Sequence, residues 1–306
     1  MNEAEGAAPR LREGWLRRAA RRIGSDVAEV YRRGGKGVLA APLIAAIAIL
    51  PEAAQHVVEI KLGMFQSREV FRALSNDPSR WAFGYAKIAG FVIAMLAYAR
   101  FHALGSVRAA LMIRPLPLLK TMALVGLTAA VSAGLARVGT MTGSAVLNGV
   151  TGAVSLVLQS GLMLLIVATL IEDRTLDWRA AFTTHLPSAA LLTLYLLVAF
   201  APAQLLHMAN HWLALGRPAP IVWGLMTFDA LSVGLLAALV GAAMMVGVRA
   251  RITWRGWVAR CTEPSSGPVR RPFREHRGNL RARDRGRRGR PGCKRFSCGS
   301  INARRR

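Results

Sequence analysis

Six long apolar runs constrain the fold of this sequence more than any other feature. A bilayer core of about 30 Å is crossed by roughly 20 mostly apolar helical residues, and a crossing segment must satisfy its own backbone polar groups. We therefore predict an all-α polytopic membrane bundle of six transmembrane helices. The predicted spans are Val38–Ile60, Phe83–Ala103, Leu116–Val138, Ser144–Ile171, Pro187–Met208 and Ile221–Val248.

The segment before the first span has an amphipathic pattern. Between residues 11 and 31 the larger apolar residues recur every four positions, and Gly34-Gly35 separates this segment from the first span. The opposite side carries Arg17, Arg18, Arg21 and Arg22. We predict an N-terminal amphipathic helix whose arginines bind anionic lipid headgroups at the bilayer surface. A juxtamembrane anchor with no regulatory role is the simpler interpretation.

Basic residues near the spans indicate how the chain crosses the membrane. The chain has 41 Lys and Arg against 16 Asp and Glu, a net charge of +25. Close to the spans, seventeen Lys and Arg fall on the side of both termini and seven on the other side. Because loops rich in Lys and Arg stay in the cytoplasm, we predict a multi-pass bacterial inner-membrane protein with both termini cytoplasmic.

Composition divides the chain into three parts. Residues 1–36 are the basic cytoplasmic segment, residues 37–250 the transmembrane domain, and residues 251–306 an Arg-rich tail predicted to be disordered. Three explanations of the tail stay open: a basic arm that contacts anionic lipid or nucleic acid, an idle solvated extension, or an out-of-frame reading of a GC-rich gene. No RNA-binding signature accompanies its arginines, so no specific nucleic-acid partner is predicted.

Asp229 is the most anomalous polar residue, because it lies about eight residues inside the sixth span. At 1.5 Å per residue this is roughly 12 Å from the outer end. A carboxylate at that depth must face the bundle, take a partner or stay protonated. It is either a proton or cation site, or a buried carboxyl that fixes helix packing.

Two histidines lie one helical turn apart near the outer end of the fifth span. The spacing of His207 and His211 allows two imidazoles on one helix face to share a metal ion. Met208 stands where the zincin pattern has a glutamate. Amphipathic histidines at the membrane interface are the simpler interpretation.

A polar stripe follows Pro51, which we expect to kink the first span. Glu52, His56 and Glu59 are four and three residues apart, and Lys87 lies just inside the second span. Their predicted depth matches that of Asp229, so we hypothesise a polar cavity open to the outer side. It is lined by Glu52, His56, Lys87, His207, His211 and Asp229. Independent interfacial residues with a snorkelling Lys87 are the alternative.

The loops and small residues predict local packing. The first loop is long enough for a short surface helix, with Phe65, Phe71, Leu74 and Trp81 at the outer interface. The loop at residues 139–143 is short, so the third and fourth spans should be antiparallel neighbours. Small residues let membrane helices approach closely, and we expect this at Gly126, Ala130, Gly134, Gly149 and Gly152.

Two stretches resemble a known family. Ala40-Ala41-Pro42-Leu43-Ile44 leads to Leu50-Pro51-Glu52, and Leu170-Ile171-Glu172-Asp173 precedes Leu176-Asp177-Trp178-Arg179-Ala180-Ala181-Phe182. Over about residues 38–250 the chain resembles the YciC-like six-helix inner-membrane proteins of bacteria, and an alphaproteobacterial group in particular. The resemblance implies the fold and the compartment, and it assigns no activity and no site residue.

No motif in the sequence names a reaction. There is no Gly-rich phosphate loop, no Gly-x-Ser-x-Gly elbow and no metalloprotease helix. We therefore predict no cofactor, and a non-catalytic membrane protein that organises the envelope or binds a protein partner or a second copy. One alternative is a proton- or cation-coupled transporter that uses Asp229. Another is a membrane metalloenzyme that uses His207 and His211.

Overall fold

The computed structural model describes residues 3–142, 144–173 and 175–249, and within these ranges every regular element is helical. The helices are α1 (Glu3–Ala40), α2 (Pro42–Lys61), α3 (Arg68–Ala73), α4 (Pro78–Leu104), α5 (Val107–Leu111), α6 (Pro115–Thr142), α7 (Ala145–Leu170), α8 (Trp178–Phe182), α9 (Leu186–Ala214) and α10 (Ala219–Arg249). The Arg-rich tail predicted at residues 251–306 lies outside the described residues.

Six helices are long and apolar enough to cross a membrane: α2, α4, α6 over Pro115–Gly139, α7, α9 and α10. The prediction of a polytopic bundle of six helices with an N-terminal helix is confirmed. The observed bounds differ from the predicted ones by a few residues at most ends. The largest difference is at α9, which continues to Ala214 where Met208 was predicted.

The centre of the bundle is α10, which packs against α1, α2, α4, α7 and α9. In its most apolar 18-residue stretch 83% of the residues are buried, against 6% in the corresponding stretch of α6. The predicted pairing of the third and fourth spans is confirmed, since α6 packs on α7. Burial alternates along the first half of α10, where Asp229 lies on the buried side and Thr227 and Phe228 are exposed.

The predicted break at Gly34-Gly35 is wrong, because α1 continues to Ala40 and α2 begins at Pro42. Ala41 breaks the helix with φ −138° and ψ 58°, as a residue before proline tends to do. Gly34 therefore allows α1 to lie close to α10, and it does not act as a flexible break between two helices. A Cβ placed there would lie 2.9 Å from the Leu239 Cα of α10.

The apolar stripe of α1 covers protein in its second half. Val30 is buried against residues of α9 and α10, with Ile23 and Val27 packed beside it. The Tyr31 hydroxyl donates to the Val198 carbonyl at 2.8 Å, and the Tyr195 hydroxyl donates to Asp26 at 2.7 Å. This part of α1 is held by the transmembrane helices themselves.

Helix α2 runs through Pro51, and α4 lies close to it at that point. Proline cannot donate to the carbonyl four residues earlier, which is that of Ile47. A Cβ on Gly90 of α4 would lie 2.5 Å from this carbonyl oxygen and 3.0 Å from the Pro51 ring. Glycine at position 90 thus lets α4 approach α2 just before the polar stripe begins.

The α2–α4 loop contains the short helix expected there, α3. Part of this loop is buried, at Met64 and Phe65. Asp77 ends the loop and caps α4, its carboxylate accepting from the backbone N–H of Ser79 at 2.8 Å. Phe65 does not lie at an outer interface as predicted, since it is 5% exposed and packs on Val222 and Met226. The loop consequently covers the ends of α9 and α10.

The small residues predicted to mediate packing do not do so within the described residues. A Cβ on Gly126, Gly134, Gly149 or Gly152 would meet no other atom within 4 Å. Close approaches occur at other glycines, for example on α10, where a Cβ on Gly241 would lie 2.5 Å from the Tyr98 Cβ and 2.8 Å from the Met95 carbonyl oxygen. The regular spacing of small residues along a helix therefore does not show whether they face a neighbouring helix or the outside of the bundle.

Candidate functional site

Polar side chains of four helices meet at the end of the bundle that the α2–α4 loop covers. We call them the Asp229 cluster. It comprises Glu52, Gln55, His56 and Glu59 of α2, Arg80 and Lys87 of α4, His207, Asn210 and His211 of α9, and Asp229 of α10. The cluster contains all six residues that the sequence predicted to line a polar cavity.

Asp229 is the central group, fully buried at 0% exposure. Its Oδ2 lies 2.6 Å from His207 Nδ1 and 3.1 Å from His56 Nε2. Its Oδ1 accepts a hydrogen bond from Asn210 Nδ2 at 2.9 Å. The carboxylate therefore joins α2, α9 and α10, which explains how the helix bundle tolerates a buried acid.

The stripe predicted after Pro51 is confirmed, because Glu52, His56 and Glu59 all face the cluster. His56 is 2% exposed, and its Nδ1 lies 2.9 Å from Glu59 Oε2. Its Nε2 lies 3.2 Å from Glu52 Oε1 in addition to the contact with Asp229. The imidazole of His56 therefore lies between three buried carboxylates.

Two cations from α4 pair with the buried glutamates. Lys87 Nζ lies 2.8 Å from Glu52 Oε1. Arg80 Nε donates to Glu59 Oε1 at 2.8 Å, and its second arm donates to the Ser75 carbonyl at 3.0 Å. Lys87 thus pairs with a buried carboxylate, as the polar-cavity hypothesis requires, whereas the alternative had it snorkelling alone to the interface.

Besides Glu52 Oε1, which is ion-paired with Lys87, four buried atoms in the cluster have no hydrogen-bond partner among the described residues. They are the two ring nitrogens of His211, the Oε2 of Glu52 and the Oε1 of Gln55. His211 is 9% exposed, and its Nε2 lies 3.9 Å from Asp229 Oδ2, beyond hydrogen-bond range. Unpaired buried polar atoms are costly and rare in native proteins, so these are the atoms of the cluster that can take a further partner.

Two sets of three side chains have the composition of a metal site, and both contain Asp229. One is His56, His211 and Asp229, and the other is Glu52, His207 and Asp229. In each set one donor atom per residue lies within 4.8 Å of the others. The three carboxylates of the cluster outnumber Arg80 and Lys87 by one, so neutral histidines leave a net negative site.

The aromatic residues of the loop cover the cluster on one side. The rings of Phe65 and Phe71 lie 5.7 Å and 6.2 Å from the His211 ring. A cavity of about 120 Å³ remains between Phe71, Arg80 and the two histidines of α9. It is large enough for a few water molecules, each of which occupies roughly 30 Å³ in the liquid.

A second cavity of about 250 Å³ lies between α4, α9 and α10. Lys87 and His207 line one end of it. His207 thus borders both cavities, and it is the most exposed of the three histidines at 19% of its side chain. Molecules in either cavity can therefore reach the cluster at His207, whereas His56 is shielded from both.

On its other side the cluster rests on packed apolar helix. Every residue of α10 from 236 to 248 is buried, and most of them are Ala, Gly, Val or Met. Leu192 of α9 and Tyr98 of α4 fill the space around the glycines of this segment. In this conformation no polar path leads from Asp229 along the described part of α10 to its C-terminal end.

Four cluster members were absent from the set predicted to line the cavity: Gln55, Glu59, Arg80 and Asn210. Glu59 belonged to the recognised stripe and could have been included by its spacing. Arg80 lies three residues after Asp77, in a segment that the charge pattern treated as loop. Only its contact with Glu59, 21 positions away, assigns it to the site.

The fold and the site define the class of this protein, which is a multi-pass integral membrane protein with a buried cluster of carboxylates and histidines. No family model, curated protein or solved structure matches the chain. The resemblance to the YciC-like proteins therefore stays a prediction, and the function is argued from the cluster itself.

Proposed function

We propose that this membrane protein is a metalloenzyme that binds one divalent transition-metal ion at Asp229. The observation that carries the proposal is that Asp229 belongs to two potential ligand sets, each of which holds a buried side-chain atom without a hydrogen-bond partner. A cation beside Asp229 gives a partner to His211 and to the Oε2 of Glu52. It also offsets the excess negative charge of the cluster.

The donor types fit zinc and related ions. Histidine nitrogen and carboxylate oxygen bind zinc at about 2.0–2.2 Å, so two ligands in tetrahedral geometry lie about 3.4 Å apart. The separations of up to 4.8 Å within each set need only small side-chain rotations to reach this value. The acids are also hydrogen-bonded by side chains that are not ligands themselves, namely Asn210 on Asp229 and Gln55 and Arg80 on Glu59. Such contacts orient the ligands of metal sites.

The partial exposure of His207 supports a catalytic rather than a structural ion. Structural zinc sites are closed by four protein ligands, whereas catalytic sites keep a position open. Here the cavities on both sides of His207 offer that position. An ion held in this way activates water for hydrolytic chemistry.

A cation-coupled transporter that uses Asp229 is the second candidate, favoured by the depth of this acid in the membrane. The packed segment from residue 236 to residue 248 of α10 counts against it, because a carrier needs alternating access to both sides. A non-catalytic scaffold would leave the unpartnered nitrogens of His211 without explanation.

Metal content tests the proposal. We expect the protein, purified in detergent through a tag without histidine, to carry about one zinc-type ion per chain by elemental mass spectrometry. Asp229→Asn and His211→Ala should each lower the affinity for Zn²⁺ by at least about tenfold. A background with all three cysteines replaced by serine excludes binding by the thiols of the tail.

His185→Ala provides the matched control, because His185 lies at the opposite end of α9 and outside the cluster. It should leave the metal content unchanged. A well-folded protein that holds no metal and whose thermal stability does not respond to Zn²⁺ would overturn the proposal. Uptake of protons or cations into vesicles that Asp229→Asn abolishes would favour the transporter.

We further propose that the protein resides in a bacterial inner membrane with both termini in the cytoplasm, as its distribution of Lys and Arg supports. The Asp229 cluster then lies in the periplasmic half of the bilayer. Contact of Arg17, Arg18, Arg21 and Arg22 with anionic lipid is part of the same proposal. The resemblance to the YciC-like group supports the same compartment.

A further inference from the structure

The larger cavity has a polar end and an apolar end. Lys87, Gln204 and His207 line the end at the Asp229 cluster, and Phe91, Phe200 and Leu236 belong to the remainder. Its volume of about 250 Å³ is just below the range of roughly 300–1,000 Å³ that is usual for small-molecule sites. It is therefore large enough for a slender ligand or part of one.

The two ends of the cavity are displaced along the membrane normal. Successive spans alternate in direction, so α4 and α10 run one way and α9 the other. Phe91 follows Lys87 by four residues, Phe200 precedes His207 by seven, and Leu236 follows Asp229 by seven. At 1.5 Å per residue these offsets are about 6 and 10 Å, and all three point toward the middle of the membrane.

The polar end offers hydrogen-bond donors. Lys87 is 24% exposed and uses one contact on Glu52, which leaves further N–H donors of its ammonium group for a second acceptor. His207 and Gln204 lie beside it. An anionic headgroup can be held here without entering the interior of the cluster.

We infer that this cavity binds a single-chain amphiphile with a carboxylate or phosphate headgroup. The acyl chain lies between Phe91, Phe200 and Leu236, and the headgroup contacts Lys87 and His207. The inference rests on the proposed function in one respect, because it brings the headgroup beside the proposed metal ion. The smaller cavity then supplies water to the same place from the other side of His207.

Photolabelling tests the inference. A fatty acid that carries a diazirine in its chain and a terminal alkyne is added to the full-length protein in phosphatidylcholine nanodiscs. We expect the label on peptides of α4, α9 and α10. Ala203→Trp fills the cavity, in which Ala203 is a lining residue, and should lower labelling at least fivefold. Ala201→Trp, on the exposed side of the same helix, should leave labelling unchanged.

The headgroup is tested with a second probe, a neutral monoglyceride that bears the same chain. Lys87→Met should remove the preference for the anionic probe while the neutral probe still labels the cavity. Labelling spread over all six spans and insensitive to Ala203→Trp would show ordinary lipid contact and overturn the inference. Equal labelling by both probes of the unmodified protein would overturn the assignment of the headgroup.

Metal content measured on the same samples separates this inference from the proposed function. Cavity labelling without bound metal would leave the amphiphile site standing and refute the metal centre. Bound metal without cavity labelling would support the metal centre and refute the amphiphile site. Ala203→Trp should retain its metal, since Ala203 contributes no ligand.

Discussion

At the scale of single residues, charge balance decides which side chains the site can contain. Glu59 is fully buried and accepts hydrogen bonds from Gln55 and Arg80, while His56 lies 2.9 Å away. Removing one member of a buried ion pair leaves the other charge unpaired, which costs more than the pair itself contributes. Arg80 is thus a positioning residue for the acids of α2.

Arg80→Met should destabilise the protein by roughly 3 kcal/mol, because Glu59 keeps its charge and loses its cation. Adding Glu59→Gln should recover at least half of this loss. The midpoint of thermal unfolding in detergent, followed for both single variants and the double variant, measures the coupling.

Arg114→Met is the matched control for that experiment. Arg114 pairs with Glu172 at 3.2 Å, but 77% of its side chain is exposed. Exposed pairs contribute about 0–1 kcal/mol, so its unfolding midpoint should hardly change. Equal losses for the two arginines would contradict the buried role of Arg80.

At the scale of helices, glycines determine how closely α10 approaches its neighbours. A Cβ on Gly241 would collide with Tyr98, Met95 and Ala99 of α4, whereas one on Gly224 of the same helix would meet nothing within 4 Å. Interior packing leaves little room for an added methyl group. The distance between α4 and α10 also sets the width of the larger cavity.

Gly241→Ala should destabilise the bundle by about 1–3 kcal/mol, the usual cost of overpacking. Gly224→Ala should be neutral within about 0.5 kcal/mol, since its surroundings are open. Unfolding of both variants in the same detergent compares the two sites directly. A neutral result at Gly241 would mean that α4 can move away from α10.

At the scale of the whole molecule, α10 both carries Asp229 and forms the packed centre of the bundle. The half of α10 near Asp229 contacts polar groups, and the half toward Arg249 is packed with small and apolar residues. The α2–α4 loop closes the polar end. Both cavities border His207 at this polar end, and the larger one extends from there to Phe91, Phe200 and Leu236.

Cysteine labelling tests the proposed orientation. In a background without the natural cysteines, Asn76→Cys places a thiol in the α2–α4 loop and Arg108→Cys places one on α5 at the opposite end. An impermeant maleimide should label the first in spheroplasts and the second only after permeabilisation, because the loops rich in Lys and Arg stay inside. The reverse pattern would invert the topology.

The number of spans and the N-terminal helix could be predicted from the sequence, and so could the position of each polar group along its helix. These properties follow from local composition, because a bilayer requires about 20 apolar residues for each crossing and penalises charge within it. The stripe Glu52, His56 and Glu59 was likewise predictable, since helical spacing alone puts these residues on one face.

Which polar groups meet could not be predicted from the sequence. Helix order in a bundle depends on contacts between residues distant in the chain, such as Gly90 against Pro51 and Gly241 against Tyr98. The regular spacing of Gly126 and Gly134 gave no such contact. His56 reaches Asp229 across 173 positions because α2 and α9 both pack on α10. Local sequence patterns determine which face of a helix can be buried. Packing between helices determines which residues of the other helices contact that face.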